Sequence, residues 1–187
     1  MENASKALIM AAEVLIGIII LSIGAALFTM FSNYSKDTAE RISETKIAEF
    51  NNNFIKFYGN VRTYDEETDT LYDGPIRVSI HDIISVANLA KANNEKNDVS
   101  FAIGASKQDI ENTMYVRVEI NAKTSPKAGK YMELWTEEQK NEFIKNNSLE
   151  FTSDYEGLHS SPKYYKLKDY SISNKTNRVY YVVFEEI

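Results

Sequence analysis

The sequence predicts an α+β fold in which a long N-terminal α-helix, hydrophobic and then amphipathic, packs on a small antiparallel β-sheet head. Three observations predict it: an apolar run from Leu8 to Phe31, an apolar stripe at helical spacing beyond it, and a strong β-strand signal at the C-terminus. We therefore divide the chain into a leader-like segment (1–7), a transmembrane or filament-core helix with its amphipathic stem (8–58), and a globular head (59–187).

Composition limits the function classes that the chain can belong to. Its 187 residues leave room for one modest head domain after the long helix. The net charge of −6 and the lack of a basic cluster argue against a nucleic-acid partner, because phosphate binding needs a clustered basic surface. The absence of cysteine excludes disulfides, cysteine metal sites and thiol catalysis.

The run from Leu8 to Phe31 has one charged residue, Glu13, and thirteen residues that are Leu, Ile, Val or Phe. As a helix, its 24 residues reach about 36 Å, which exceeds the roughly 30 Å hydrocarbon core of a bilayer. Each large apolar residue favours insertion by about 0.3–0.6 kcal/mol, whereas an ionised acid at the helix centre costs about 3 kcal/mol. The run therefore predicts a membrane-spanning or filament-core helix.

The polar stretch MENASKA before the run is also how a secretory signal peptide begins. However, the small residues Gly24, Ala25 and Ala26 lie inside the apolar run, and no small-x-small cleavage site follows Phe28. We therefore expect the segment to be retained. A soluble domain secreted after signal cleavage is the alternative.

The chain beyond Phe31 becomes amphipathic without a strong helix breaker. Ile47, Phe50, Phe54 and Phe57 are spaced three, four and three residues apart, which places them on one helical face. We expect this face to pack on the head; a coiled-coil partner is the alternative. Gly59-Asn60 supplies the helix stop. An unbroken helix over 8–58 would be about 75 Å long.

The N-terminal pattern is a polar leader ending in Lys6-Ala7, then an apolar helix from Leu8 that carries the single acid Glu13, and then an amphipathic stem. This pattern resembles the type IV pilin and archaellin superfamily with its class III signal. Ala7 and Leu8 stand where bacterial members usually have Gly and then Phe, Met or Gln.

The resemblance implies that a dedicated leader peptidase processes the chain at Lys6, Ala7 and Leu8. It also implies that the apolar helices of many copies bundle into a helical filament, assembled from the membrane by pilus-type machinery. In that family the acid, here Glu13, pairs with the N-terminal amine of a neighbouring subunit. The head would be extracellular.

Glu13 has a physical reason to be functional that does not depend on the resemblance. An ionisable residue in an apolar helix is costly unless it is paired, and a freed amine on a neighbouring helix is an available partner. The alternative is a hydrated Glu13 near the lipid headgroups. Gly17 and Gly24 are small residues that allow close helix approach, although such residues are ordinary in apolar helices.

Charge near the apolar run does not by itself place the head outside the cell. Lys36, Arg41 and Lys46 follow the run, whereas Lys6 precedes it, so the positive-inside rule does not favour an external head. The basic residues of the stem are interleaved with acids, namely Asp37, Glu40, Glu44 and Glu49. We expect an external head because of these acids and the leader resemblance.

The first part of the head is predicted to combine an acidic loop with a helix. Residues 61–75 read as a solvated loop; a calcium loop is disfavoured because Gly after Asp69 and a closing Glu are both missing. A short strand over 76–78 precedes a helix over 80–92 that Ser79 and Asp82 cap. The apolar face predicted for this helix comprises Ile80, Ile83, Ile84, Ala87 and Ala90.

The rest of the head is predicted to be mainly strand. Residues 99–105 and 114–122 have strand character, and a loop or one helical turn is predicted between them. A turn over 123–130 and a short strand over 131–135 are predicted to follow. Thr136 is predicted to open a short helix, and a further strand is predicted over 149–152. The C-terminus predicts a hairpin of 164–172 and 178–187 whose last strand is interior to the sheet.

The sequence lacks the residue patterns of common catalytic sites. There is no Ser-His-Asp, Cys-His or metal-ligand spacing and no Gly-rich phosphate loop, and His81 and His159 have no ligand partners nearby in sequence. We expect neither an enzyme nor a bound metal or cofactor. The sequence favours a structural subunit of a pilin-like surface filament; the alternative is a single-pass, signal-anchored envelope protein whose external head binds a partner.

Overall fold

A computed structural model of the chain describes residues 2–65, 69–101, 103–123, 126–147, 149–154 and 157–187. The side chains of Asp65 and of residues 149–161 lie outside this description. The chain divides into two compact units, the first ending at Lys46 and the second running from Ile47 to Ile187. We describe each unit by itself.

The described residues form four α-helices, seven β-strands and one 3-10 turn, which confirms the α+β class. The helices are α1 (Glu2–Ile55), α2 (Ile80–Lys96), α3 (Lys107–Glu111) and α4 (Glu137–Asn147), with the 3-10 turn at Met132–Leu134. The strands are β1 (Asn60–Asp65), β2 (Thr70–Pro75), β3 (Arg117–Asn121), β4 (Leu149–Asp154), β5 (Gly157–Pro162), β6 (Tyr165–Ile172) and β7 (Val179–Glu186).

The first unit consists of helix α1 up to Lys46. The sequence predicts helix over 8–58, and the structure gives Glu2–Ile55, so the helix starts earlier and ends three residues sooner. Past Ile55 the chain turns through Gly59, whose φ of 129° is open to glycine and strained for other residues. The predicted Gly59 stop is therefore where the chain leaves the helical direction.

The main sheet of the second unit has three strands in the order β3-β7-β6. β7 is interior and pairs antiparallel with β6, which confirms the predicted C-terminal hairpin. β3 pairs parallel with β7, with Arg117 opposite Tyr181, so the sheet is mixed where we expected antiparallel strands. A parallel pair needs a long crossover, and the more than forty residues between β3 and β6, which include α4, allow it.

The core lies on the face of the sheet that α2 covers. The predicted apolar face of α2 is confirmed, since Ile80, Ile83, Ile84, Ala87 and Ala90 are all buried. They pack with sheet residues such as Val118, Val182 and Phe184. The predicted cap is also present, because Ser79 Oγ accepts a hydrogen bond from the Asp82 amide at 3.2 Å.

α2 runs past its predicted end to Lys96. Asn94 belongs to the helix because its side chain there can form hydrogen bonds with the backbone beside β3. The Asn94 side chain is buried and bonds the Val116 backbone twice: its Nδ2 donates to the carbonyl at 2.9 Å, and its Oδ1 accepts from the amide at 2.7 Å. The side chain thereby takes the place of a neighbouring strand next to β3. The predicted helix end at residue 92 is therefore four residues too early.

The largest correction concerns residues 61–75, which we predicted to be a loop. The described residues there form the antiparallel hairpin β1–β2, in which Arg62 lies opposite Asp73 and Tyr64 opposite Leu71. The Arg62 Nε and Asp73 Oδ2 atoms are 3.7 Å apart. The prediction was wrong because it weighed the acidic residues above the cross-strand pairs that their neighbours can form.

Three smaller strand predictions were also wrong. Residues 76–78 contribute only a single bridge, between Val78 and Tyr165. The described part of 99–105 contains no strand, and residue 102 lies outside the description. Within 131–135, Tyr131 contributes a single bridge to Glu119, and Met132–Leu134 form the 3-10 turn, from which the Glu133 carboxylate reaches β3.

The remaining head predictions were correct. The alternatives left open for the segment after 99–105 are decided in favour of a short helix, α3, with a Ser106–Asp109 capping box. Thr136 caps α4 through reciprocal bonds with Gln139, at 2.8 and 3.3 Å. β4 includes the predicted strand 149–152. Of the predicted turn 123–130, residues 124 and 125 lie outside the description.

Candidate functional site: the apolar segment of α1

The candidate site is residues 8–31 of α1, which we call the apolar segment. Its large side chains are exposed in this chain, from Ile19 at 48% to Leu8 at 77%. Among the described residues, α1 is the one helix long and apolar enough to cross a membrane. A soluble monomer rarely leaves a contiguous apolar surface of this size in water. The segment therefore needs lipid or other chains around it.

The hydroxyl groups inside the apolar segment are satisfied by the helix itself. Ser22 Oγ donates to the Ile18 carbonyl at 2.7 Å, and Thr29 Oγ1 donates to the Ala25 carbonyl at 3.0 Å. Such bonds to the carbonyl four residues back let a hydroxyl enter a region without water. These two hydroxyl groups therefore do not oppose burial of the segment.

Glu13 is the exception among the polar side chains of the apolar segment. It is exposed, and the described residues include no hydrogen-bond or ion-pair partner for its carboxylate. At about 100° of rotation per residue, Gly17 and Gly24 lie within roughly 40° of Glu13 around the helix axis. A Cβ atom at either glycine would meet no atom of this chain within 4 Å. The acid and two glycines thus share one open side of α1.

The predicted processing residues lie inside α1. Lys6, Ala7 and Leu8 are helical and exposed, and Lys6 Nζ is 3.1 Å from Glu2 Oε1. Peptidases act on locally extended chain, so cleavage here requires this first part of the helix to unwind. The pair of charges at positions 2 and 6 is fully solvated and opposes unwinding only weakly.

The residues predicted to join stem and head lie in the second unit. Phe54 is fully buried in the core, and its ring centroid is 5.0 Å from that of Phe50. Phe50 and Phe57 are partly buried and pack against the core, and Ile47 is half-buried. Phe57 lies in the turn after α1 ends and not in the helix.

Two further residues of this contact were missed by the sequence reasoning. Asn51 Nδ2 donates to the Asn177 carbonyl, and its Oδ1 accepts from the Val179 amide, both at 2.8 Å. The Arg178 guanidinium lies 3.8 Å from the centre of the Phe50 ring, and burial lowers its pKa. We call Phe50, Asn51, Phe54 and Arg178 the docking cluster. Asn51 lies four residues after Ile47 and three before Phe54, and this helical spacing is the signal that would have separated it from Asn52 and Asn53.

A cluster of charged and phenolic side chains lies at the outer edge of β3. Glu133 Oε2 accepts from the Val118 amide at 3.0 Å, and its Oε1 accepts from the Tyr115 hydroxyl at 3.0 Å. Arg117 Nε lies 3.6 Å from the same carboxylate. Burial raises the pKa of Glu133, and burial beside Glu133 raises the pKa of Tyr115 to about 12. The cluster covers the free edge of β3.

Among the clefts formed by the described residues of the head, two have volumes of about 370 and 350 Å³. The larger is lined by α4 and by Trp135, Phe143 and Lys163; the smaller is lined by the end of α2 with Tyr115 and Glu133. Within the described part of the chain, no group of three or more His, Cys, Asp or Glu residues is placed to hold a metal ion. The side chain of His159 lies outside that part.

No family model, curated protein or solved structure significantly matches this chain.

Proposed function

We propose that this chain is the structural subunit of a pilin-like surface filament, assembled through the apolar segment of α1. The observation that carries the proposal is the exposure of that whole segment on a helix that continues into a small α+β head. Lipid would cover the segment before assembly, and the same segment of other copies would cover it afterwards.

The position of Glu13 supports assembly over simple anchoring. A carboxylate amid apolar side chains is costly unless a positive group pairs with it. Gly17 and Gly24 leave space on the same side of α1 for a second helix. The N-terminal amine of a neighbouring subunit, freed by cleavage between Ala7 and Leu8, would be a suitable partner. The subunit would then reside in the cell membrane before assembly, with its head extracellular, and would need a leader peptidase and pilus-type machinery.

Electron microscopy of surface material tests the proposal. Thin filaments are expected from cells that carry the chain and the processing machinery. Ile19→Asp should abolish them, because it places a charge within the apolar segment. Ile103→Asp is the matched control, since Ile103 is an exposed isoleucine of the head. If purified chains stay monomeric in mild detergent and the machinery yields no filament, the proposal fails.

A second candidate is a single-pass, signal-anchored envelope protein whose external head binds a partner. The helical state of Lys6, Ala7 and Leu8 favours it, because an uncut leader would simply extend the anchor. Intact mass of the native protein separates the two candidates. Loss of the first seven residues supports the filament subunit, whereas a chain that keeps them supports the anchor. Glu13→Gln should impair assembly if the chain forms a filament and should have no effect if the chain is a membrane anchor. Glu40→Gln in the stem is the control.

A further inference from the structure

The hairpin β1–β2 forms a two-stranded sheet of its own and pairs with no other described strand. A two-stranded hairpin is only marginally stable in water unless one face is covered. One face has such cover, because the Tyr72 ring lies 4.0 Å from the Arg77 guanidinium and its hydroxyl donates to the Pro75 carbonyl at 2.6 Å.

The second face of the hairpin is open and apolar at its centre. Register and pleat place Arg62, Tyr64, Leu71 and Asp73 on this face, which we call the ribbon face. Tyr64 is 55% exposed and Leu71 is 51% exposed, and the two lie directly opposite each other. A large aromatic and a large aliphatic side chain thus form an exposed pair on a marginal element.

Charge indicates what could cover the ribbon face. Residues 60–75 contain one Arg against five Asp or Glu residues, a formal charge of −4. Arg62 and Asp73 of the ribbon face pair with each other, so the excess acids are Asp65, Glu66, Glu67 and Asp69, which are close together in sequence where β1 gives way to β2. The covering surface should therefore be basic at its edge. Edge strand β6 of the main sheet has this property, since Lys166 and Lys168 are both ion-paired with the single carboxylate of Glu185. On the same strand Asp169 Oδ2 lies 3.7 Å from Lys107 Nζ, so three ammonium groups face two carboxylates and one positive charge is left over.

We propose that the ribbon face of one copy docks on the lysine-bearing side of β6 in a second copy. This inference rests on the proposed filament, in which like subunits repeat in one orientation. Subunits repeating along a helical axis touch through two different surfaces. An acidic hairpin and a basic edge strand on the same chain supply such a pair. The apolar segments hold the heads at high effective concentration, so a small head contact suffices.

Cysteine cross-linking of the full chain in filaments and membranes tests the docking, because the chain has no native cysteine. Leu71→Cys places a thiol on the ribbon face, and Ser171→Cys places one on the same side of β6 as Lys166 without removing a charged group. The double variant should give a ladder of disulfide-linked multimers on oxidation. A mixture of the two single variants should give dimers and nothing larger. Leu71→Cys combined with Lys145→Cys, on exposed α4, is the matched control and should give no ladder.

Charge reversal supplies the second measurement. In the cross-linking double variant, Lys166→Glu with Lys168→Glu should abolish the ladder, whereas Lys166→Arg with Lys168→Arg should preserve it. A ladder that survives the reversal overturns the inference. So does the absence of a ladder from oxidised filaments or membranes. Filaments without the ladder would overturn the docking alone, whereas wild-type chains that form no filament would overturn the proposed function.

Discussion

Asn51 offers a quantitative test of how α1 is held on the head. Asn51→Ala removes two hydrogen bonds of 2.8 Å and leaves the amide of buried Val179 without its acceptor. An unsatisfied buried group costs about 1–3 kcal/mol. Alanine is the better helix former by about 0.5–0.7 kcal/mol, which offsets part of that loss. We expect a net destabilisation of about 1–2 kcal/mol.

The neighbouring residue supplies the control. Asn52 is exposed on the same helix, so Asn52→Ala gains the helix propensity without losing a contact to the head. Urea denaturation of both full-length variants in mild detergent, followed by the fluorescence of Trp135, measures the difference. We expect Asn51→Ala to be about 2 kcal/mol less stable than Asn52→Ala. Equal midpoints for the two variants would show that the Asn51 bonds do not hold the helix.

Three further substitutions test the head. Phe54→Ala should destabilise it by about 3–5 kcal/mol, because the ring is fully buried, whereas Phe31→Ala in the apolar segment should leave the urea midpoint unchanged. Ser79→Ala should cost about 1 kcal/mol through loss of the α2 cap, measured in the same way. Burial raises the pKa of Glu133, so the folded head binds a proton more tightly than the unfolded chain. Stability should therefore fall as pH rises from the usual value of 4.5 through the raised pKa, and Glu133→Gln should remove that slope. An unchanged pH profile in that variant would contradict the assignment.

Periodicity allowed the helices and the C-terminal hairpin to be predicted. The apolar face of α2 repeats every three or four residues, and β7 is rich in Val, Tyr and Phe, so local pattern and final burial agree. Glu13, Gly17 and Gly24 were selected by residue type and not by periodicity, and their role in assembly stays a prediction. A helix or strand can be predicted from the sequence when the apolar residues in its local pattern are also the residues that become buried.

The elements that the sequence did not indicate depend on contacts between distant residues. β3 lies parallel to β7 because of a crossover whose direction no local pattern encodes. The turn at Met132–Leu134 forms where Glu133 reaches the Val118 amide, fifteen residues away. Asn51 finds its partners at Asn177 and Val179, on the far side of the chain in sequence. Polar side chains that replace a neighbouring strand have no sequence period.

The strand to which Asn51 is bonded has a mechanical consequence. β7 lies between β3 and β6, so backbone hydrogen bonds hold it along both sides. A pull applied along α1 would reach the head at the first residues of this central strand and at Phe54 in the core. Removing a central strand requires many bonds to rupture together, whereas an outer strand can be unzipped bond by bond. The contact between α1 and the head thus bears on a strand that is bonded to a neighbour on each side.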